Sequence, residues 1–389
     1  MGEAYIVAAA RTAGGRKGGK VSGWHPADLG GAILDALVAR TGADPALVED
    51  VIMGCVGQVG EQGLNIARNA ILASGLPESV PGTSVDRQCG SSQQAIHFAA
   101  ATVMSGAMDI VIAAGVESMS RVPMGLSSQL PYKNGFGTYK SPRIEDRYPG
   151  IQFSQFTGAE MLAKKYDLSR AQLDAYALQS HQRAMAATKA GKFAAEIVPI
   201  DVTVDGKTER HDADEGIRWD ATMESIGAVK LLAEDGRITA ATSSQICDGA
   251  AGVMIVNERG LKALGVKPLA RIHSMTVIGH DPVIMLEAPI PATLKALDRA
   301  GMKIGDIDLY EVNEAFASVP TAWLKVTGGD PDKLNVNGGA IALGHPLGGS
   351  GAKLMTTLVH AMQDRGARYG LQTMCEGGGL ANVTIVERL

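Results

Sequence analysis

Two apolar patterns alternate along the chain. Ala95, Ile96, Ala99, Thr102 and Val103 recur at helical spacing, and Ile110-Val-Ile-Ala-Ala114 follows as a short continuous apolar run. The same order returns near the other end. Ala352, Leu354, Met355, Leu358 and Val359 keep helical spacing, and Leu371-Gln-Thr-Met374 falls on the strand position. Continuous runs of this length between helices predict buried strands of an α/β sheet.

An offset of 260 lays one stretch over the other. Leu34-Asp-Ala-Leu37 then covers Leu294-Lys-Ala-Leu297, and Gly106-Ala107 covers Gly366-Ala367. A match that keeps the element order predicts one α/β unit used twice. The halves are residues 1–120, completed by about 250–269, and residues 270–389. Residues 121–249 have a different texture. Ser127 to Gly150 reads as loop, and a helix is predicted near Ser169 to Ala190 with Ser169 as its N-cap. An insertion this long is expected to carry function.

Composition narrows the classes. The chain has 389 residues, 48 of them glycine, with only 4% aromatic residues. The glycines have no three-residue period, which excludes collagen. Few aromatic rings and a net charge of −5 argue against nucleic acid and against an anionic membrane. No run of 18 apolar residues is present, so no membrane span is expected. Met1 to Arg11 reads as lacking a signal peptide. The four cysteines, Cys55, Cys89, Cys247 and Cys375, form no C-x-x-C pair. Their spacing suits neither a metal site nor a disulfide framework and fits a reducing, cytoplasmic setting.

Four motifs carry candidate chemistry. In Val85-Asp-Arg-Gln-Cys89-Gly-Ser-Ser, an extended segment (Thr83 to Asp86) runs into Cys89 and a helix begins just after it. A thiol at a helix N-terminus is expected to have a lowered pKa. In Asn335 to Gly351, six glycines between Gly338 and Gly351 flank His345. Dense glycine allows close backbone approach to a ligand, and the histidine is a candidate for proton transfer. In Met374-Cys375-Glu-Gly-Gly-Gly379 a second cysteine ends a strand before three glycines. In Glu311-Val-Asn313-Glu314-Ala-Phe316 a polar pair sits in an apolar strand-to-helix segment and must find partners or serve as a helix cap. Two thiols, a histidine and an asparagine thus gather at strand ends, where open α/β sheets bind ligands.

With Gln88-Cys89-Gly-Ser, Asn313-Glu-Ala-Phe316, Gly338-Gly-Ala-Ile-Ala-Leu-Gly-His345-Pro and Cys375-Glu-Gly-Gly-Gly379 in this order, the whole chain resembles the thiolase family. The resemblance implies a duplicated αβαβα five-layered core with an inserted loop domain. It implies CoA-dependent cleavage of 3-ketoacyl-CoA, or the reverse Claisen condensation, in a homodimer or homotetramer. Cys89 resembles the nucleophile, His345 its base and Cys375 the second acid/base. Asn313, through a water, and His345 resemble one oxyanion hole. The backbone N–H groups of Cys89 and Gly377 resemble the other. Arg218, Ser225 and Ser244 match CoA-contacting positions. Coenzyme A enters as substrate, and no permanently bound cofactor or metal is implied.

The chain also departs from that pattern. Ser154-Gln155-Phe156 stands where short-chain members have His-Met, and Leu286-Glu287-Ala288 follows Met285 in place of Gly-Thr-Gly. Something other than acetoacetyl-CoA is therefore the expected substrate. Glu376 is unusual beside Cys375. It either raises the thiol pKa by like charge or points outward, and outward is the expectation. Cys55 and Cys247 read as structural, and His97 as a packed or surface histidine. Two rival readings are a non-catalytic acyl-CoA or lipid binder on the same scaffold, and a Cys-His-Asn hydrolase.

Overall fold

The computed structural model describes residues 2–389. The first half runs β1 (Tyr5–Thr12), α1 (Pro26–Thr41), β2 (Asp50–Gly54), α2 (Ile66–Leu72), β3 (Gly82–Val85), α3 (Ser91–Ser105) and β4 (Ile110–Ser118). The insertion contributes α4 (Gln155–Lys165) and α5 (Arg170–Lys189) before β5 (Cys247–Val256) closes the first sheet. The second half runs β6 (Ala270–Gly279), α6 (Pro289–Ala300), β7 (Leu309–Val312), α7 (Ser318–Thr327), α8 (Ser350–Arg365), β8 (Tyr369–Glu376) and β9 (Leu380–Glu387).

The repeat is visible element by element. β2 and β7, α3 and α8, and β4 and β8 each begin 259 residues apart. Gly106 after α3 and Gly366 after α8 both take left-handed φ, +75° and +65°, which ends each helix without a Cβ clash. The strand order is β3-β2-β4-β5-β1 in one sheet and β7-β8-β9-β6 in the other. The sheets join where β1 meets β6, at Tyr5–Arg271 and Ile6–Ala270.

Five layers result. α1 and α2 cover the outer face of the first sheet, α3 and α8 fill the middle, and α6 and α7 lie outside the second. Side chains of β4 alternate accordingly. Ile112 and Ala114 join the outer apolar cluster, while Val111 and Ala113 join the middle one. Every residue of β4 is buried, as a strand covered on both faces requires.

The halves differ at one connection. β8 turns into β9 through Gly377, Gly378 and Gly379, whereas β4 reaches β5 only after residues 119–246. Within that insertion, α5 starts as predicted, with Ser169 and Gln172 forming a reciprocal capping box. The stretch 127–150 read as loop holds two short helices instead, Leu126–Lys133 and Pro142–Arg147. Ser141 accepts from the Ile144 N–H and Pro142 occupies the first turn, so local capping is enough to form the second. A buried ion cluster ties the insertion to β1. Arg11 donates to Glu196 at 2.6 Å and to both Asp214 oxygens at 2.8 and 3.0 Å.

Candidate active site

β3 ends at Val85, and the chain turns sharply before α3. Gln88 takes φ +49°, a conformation that costs a non-glycine residue of order 1 kcal/mol. Three bonds hold it there. The Gln88 N–H donates to Asp86 at 2.7 Å, the Ser91 N–H to Gln88 O at 3.0 Å, and the Ser91 hydroxyl to Gln88 O at 2.6 Å. Cys89 therefore sits just before Gly90, the N-cap of α3.

The N–H groups of Cys89 itself and of Gly377 act to lower the pKa of its thiol. The helix N-terminus does not win, however. Burial, then the carboxyl of Glu376, push the thiol up to about 12, opposite to the sequence expectation. Cys375 is fully buried and lies near enough for a charge on Cys89 to act on it. Burial, Cys89 and Glu376 raise its pKa well above the ordinary range. Both resting thiols are protonated.

Glu376 does not point outward. It is fully buried, and a Cβ on Gly90 would lie 1.9 Å from its Oε1. The outward reading fails because β8 has no solvent face: the side opposite Cys375 looks into the middle helix layer.

The glycine-rich loop brings His345 to the site. Its glycines meet protein, where a ligand was expected. A Cβ on Gly344 would lie 2.6 Å from the Cys247 sulfur, and one on Gly348 2.5 Å from the Cys55 Cα. Both structural cysteines are buried against this loop. Glu117, which sequence reasoning missed, fastens it to the first half by accepting from Gly348, Val56, Gly57 and Gln62 at 2.7–2.9 Å.

Hydrogen bonds fix the tautomer of His345. Ser350 gives its one hydroxyl proton to Pro346 O at 2.9 Å, so at 2.5 Å it must accept from Nδ1–H of His345. That leaves Nε2 as the free base. Burial, then Lys353, push this imidazole down to about 3, so it rests neutral. The Asn313 side-chain nitrogen lies 3.4 Å from Nε2. Asn313 follows β7, and its N–H donates to Thr373 O at 3.0 Å. Glu314 caps no helix in its own segment but reaches the first turn of the short helix Ala340–Leu343. It accepts from Tyr176, Ser180, Asn335 and the Ile341 N–H at 2.7–3.1 Å. His97 is packed, 2.8 Å from Thr384 and 3.1 Å from Asn382.

A cavity of about 460 Å³ leads to His345. Arg218 and Ser244 line it, together with Met119, Met124, Gln155 and Phe156. Phe156 stacks edge-on against Phe316 at 5.6 Å. Ser225 is not in the wall. Its hydroxyl caps the turn at Thr222, donating to Thr222 O at 3.0 Å. Arg16 and Lys17 also line the cavity. The sequence signal for them was a basic cluster between glycine pairs. The departures after Met285 form a clamp. Glu287 accepts from His280 at 3.1 Å, pairs with Lys165 at 2.6 Å, and accepts from the Tyr166 hydroxyl. It holds α4 to the loop whose His280 N–H donates to Gly379 O at 2.7 Å.

Two domain families match the chain: the thiolase N-terminal domain over residues 4–259 and the thiolase C-terminal domain over residues 266–388. The chain belongs to the thiolase family. It is 51% identical to the steroid 3-ketoacyl-CoA thiolase FadA6 of Mycobacterium tuberculosis, covering all of this chain and 95% of that protein. It is 44% identical to the 3-ketoacyl-CoA thiolase of Erwinia tasmaniensis over the full length of both. Its fold superposes on the Bacillus anthracis acetyl-CoA acetyltransferase with a TM-score of 0.92, at 35% identity, over 100% of this chain and 99% of the other. This thiolase is thus an acyltransferase that cleaves 3-ketoacyl-CoA with CoA or runs the reverse condensation. The duplicated fold and the thiolase activity expected from the sequence are both borne out. Among the described residues no helix is long and apolar enough to cross a membrane.

Proposed function

We propose that this thiolase forms an acyl intermediate on Cys89 and acts on 3-ketoacyl-CoA with an acyl group bulkier than acetoacetyl, ring-bearing groups included. One observation carries the assignment of roles: the bare turn at Gly377 packs against Gln88, where a Cβ would lie 2.9 Å from Oε1, and its N–H favours negative charge on the adjoining Cys89 sulfur. The N–H groups of Cys89 and Gly377 stabilise the oxyanion when the thioester at Cys89 is attacked. His345 takes the Cys89 proton through Nε2, in step with attack, since neither group rests charged. Asn313 and His345 stabilise the oxygen of the leaving enolate. Cys375 gives that enolate its proton on cleavage, or removes the α-proton in synthesis. No permanent cofactor is required, because the thioester itself acidifies the α-carbon.

The bulky acyl group is supported by the 51% identical steroid thiolase and by Gln155 and Phe156 in the cavity wall. Residues 121–249 act as the loop domain, with Arg218 and Ser244 at the CoA chain and Ser225 holding the adjoining turn. A homodimer or homotetramer is supported by the unpaired edge of β3 and by exposed Leu64 and Leu72. Four free cysteines support a cytoplasmic setting. The test is a thiolysis panel over short, medium, branched and ring-bearing 3-ketoacyl-CoAs, with Cys89→Ser as control. Ring-bearing substrates are expected to give the highest kcat/KM, and Cys89→Ser none. A preference for acetoacetyl-CoA overturns the substrate reading, and turnover by Cys89→Ser overturns the nucleophile.

A further inference from the structure

Glu376 takes no part in the steps assigned to Cys89, His345, Asn313 and Cys375, yet its carboxyl is buried beside both thiols. Along β8 the side chains alternate. Leu371 and Cys375 face the outer apolar cluster, and the Gln372 amide donates inward to Gly351 O at 2.8 Å. Position 376 therefore faces the middle layer, where its carboxyl lies flat against Gly90. Oε1 accepts one N–H, from Asn382 at 3.1 Å. Oε2 has no hydrogen-bond partner.

Few charges surround it. The turn before α3 presents Arg87 and Cys89, and its own strand presents Cys375. From α3, Gln94 and His97 reach Asn382, each at 3.1 Å, and burial keeps His97 neutral with a pKa down to about 3. Glu117 on β4 adds negative charge toward Cys89. A carboxylate holding one N–H in such a place is poorly compensated. Its charge would also oppose the anion that must form on the Cys89 sulfur and on the thioester oxygen next to it. It would further draw on the positive end of α3, which starts at this point.

We propose that Glu376 is a positioning residue that serves the site as the neutral acid, and that its ionisation suppresses the Cys89 nucleophile. Burial pushes its carboxyl up to about 8, against the weaker pull of Arg87, which puts this switch near neutral pH. The acid form fills the space beneath Gly90 without adding charge. The inference rests on Cys89 being the nucleophile.

The test measures alkylation of Cys89 by iodoacetamide from pH 6 to 10, read by mass spectrometry, in the wild type and in Glu376→Gln. Gln copies the shape of the neutral acid and cannot ionise. The expected result is an alkylation curve moved to lower pH in Glu376→Gln, with a rate about tenfold above wild type near pH 9, equivalent to one pKa unit. Superposable curves overturn the proposal. If Glu376→Gln does not fold, the wild type alone decides. Two coupled titrations should shape its curve, and a single-step curve overturns the proposal. The acyl adduct on wild-type Cys89 with substrate is measured alongside. Its absence sinks the nucleophile assignment, whereas an adduct with superposable curves sinks only the role of Glu376.

Discussion

The side-chain nitrogen of Asn313 lies 3.4 Å from Nε2 of His345, the one imidazole nitrogen left free by Ser350. The two residues come from different connections of the second half, and His345 lines the cavity of about 460 Å³. In the proposed mechanism an amide N–H aimed at this point serves a developing oxyanion. Asn313→Ala is expected to lower kcat about 100- to 1,000-fold, with a much smaller change in KM. Steady-state kinetics of thiolysis check it. A change confined to KM would remove Asn313 from the chemistry.

Ser350 sets the tautomer through its single proton. Ser350→Ala frees Nδ1 and lets the base nitrogen carry hydrogen. The variant should lose about 100-fold in acylation rate, read by single-turnover mass spectrometry of the Cys89 adduct. An unchanged rate would show that the tautomer is fixed by other means.

The two thiols should separate by step. Cys375→Ala is expected to accumulate the acyl adduct on Cys89 from acyl-CoA while carbon–carbon cleavage and condensation stop. An intact-mass shift on Cys89 without product is the outcome to look for. Product formation by this variant would remove Cys375 from proton transfer at the α-carbon.

Packing of Gly90 against Glu376 makes a stability prediction. Gly90→Ala places a methyl group 1.9 Å from Oε1 of Glu376, and overpacking of this kind costs about 1–3 kcal/mol. Shortening the partner should restore stability, so Gly90→Ala/Glu376→Ala should melt above Gly90→Ala alone. Thermal unfolding compares them, and additive losses would contradict the contact.

Acid should loosen the tie between β1 and the insertion. Burial opposes ionisation of Asp214, but Arg11 and Lys353 outweigh it and hold its pKa below the ordinary value. A carboxyl with a depressed folded pKa stabilises fully above its unfolded pKa, about 3.9. That stability is lost as pH falls through the folded value. Asp214→Asn removes it at every pH and leaves Arg11 underpaired, at a cost of about 3–5 kcal/mol. Denaturant titrations at neutral pH and at pH 3 should show the gap to wild type narrowing in acid.

Much of this was legible in the sequence. The offset of 260 located the repeat because helix caps and strand starts recur with the fold, and Ser169 announced α5 through its own hydroxyl. The motif residues Cys89, Asn313, His345 and Cys375 stand at strand ends or on the loop that reaches them. What failed to show was the layer beyond each strand. Glu376 was expected to point outward, and only the second sheet packed on α3 and α8 shows that its side of β8 is buried. The same burial reversed the Cys89 pKa, since desolvation and Glu376 outweigh the backbone N–H groups that favour the thiolate. Ser225 looked like a contact for CoA and Glu287 only like a departure from the family pattern, yet one caps a turn and the other clamps a loop. Those roles depend on partners more than 100 residues away or on local geometry that composition does not encode.

The turn after β8 and the long excursion after β4 occupy the same place in the two copies. A duplicated unit offers the same place twice. Here one copy keeps its turn bare, so its backbone lies directly against Gln88 in the turn before α3. The other has given its turn over to the insertion of residues 119–246. A chain that repeats one unit thus carries two different connections at the matching place.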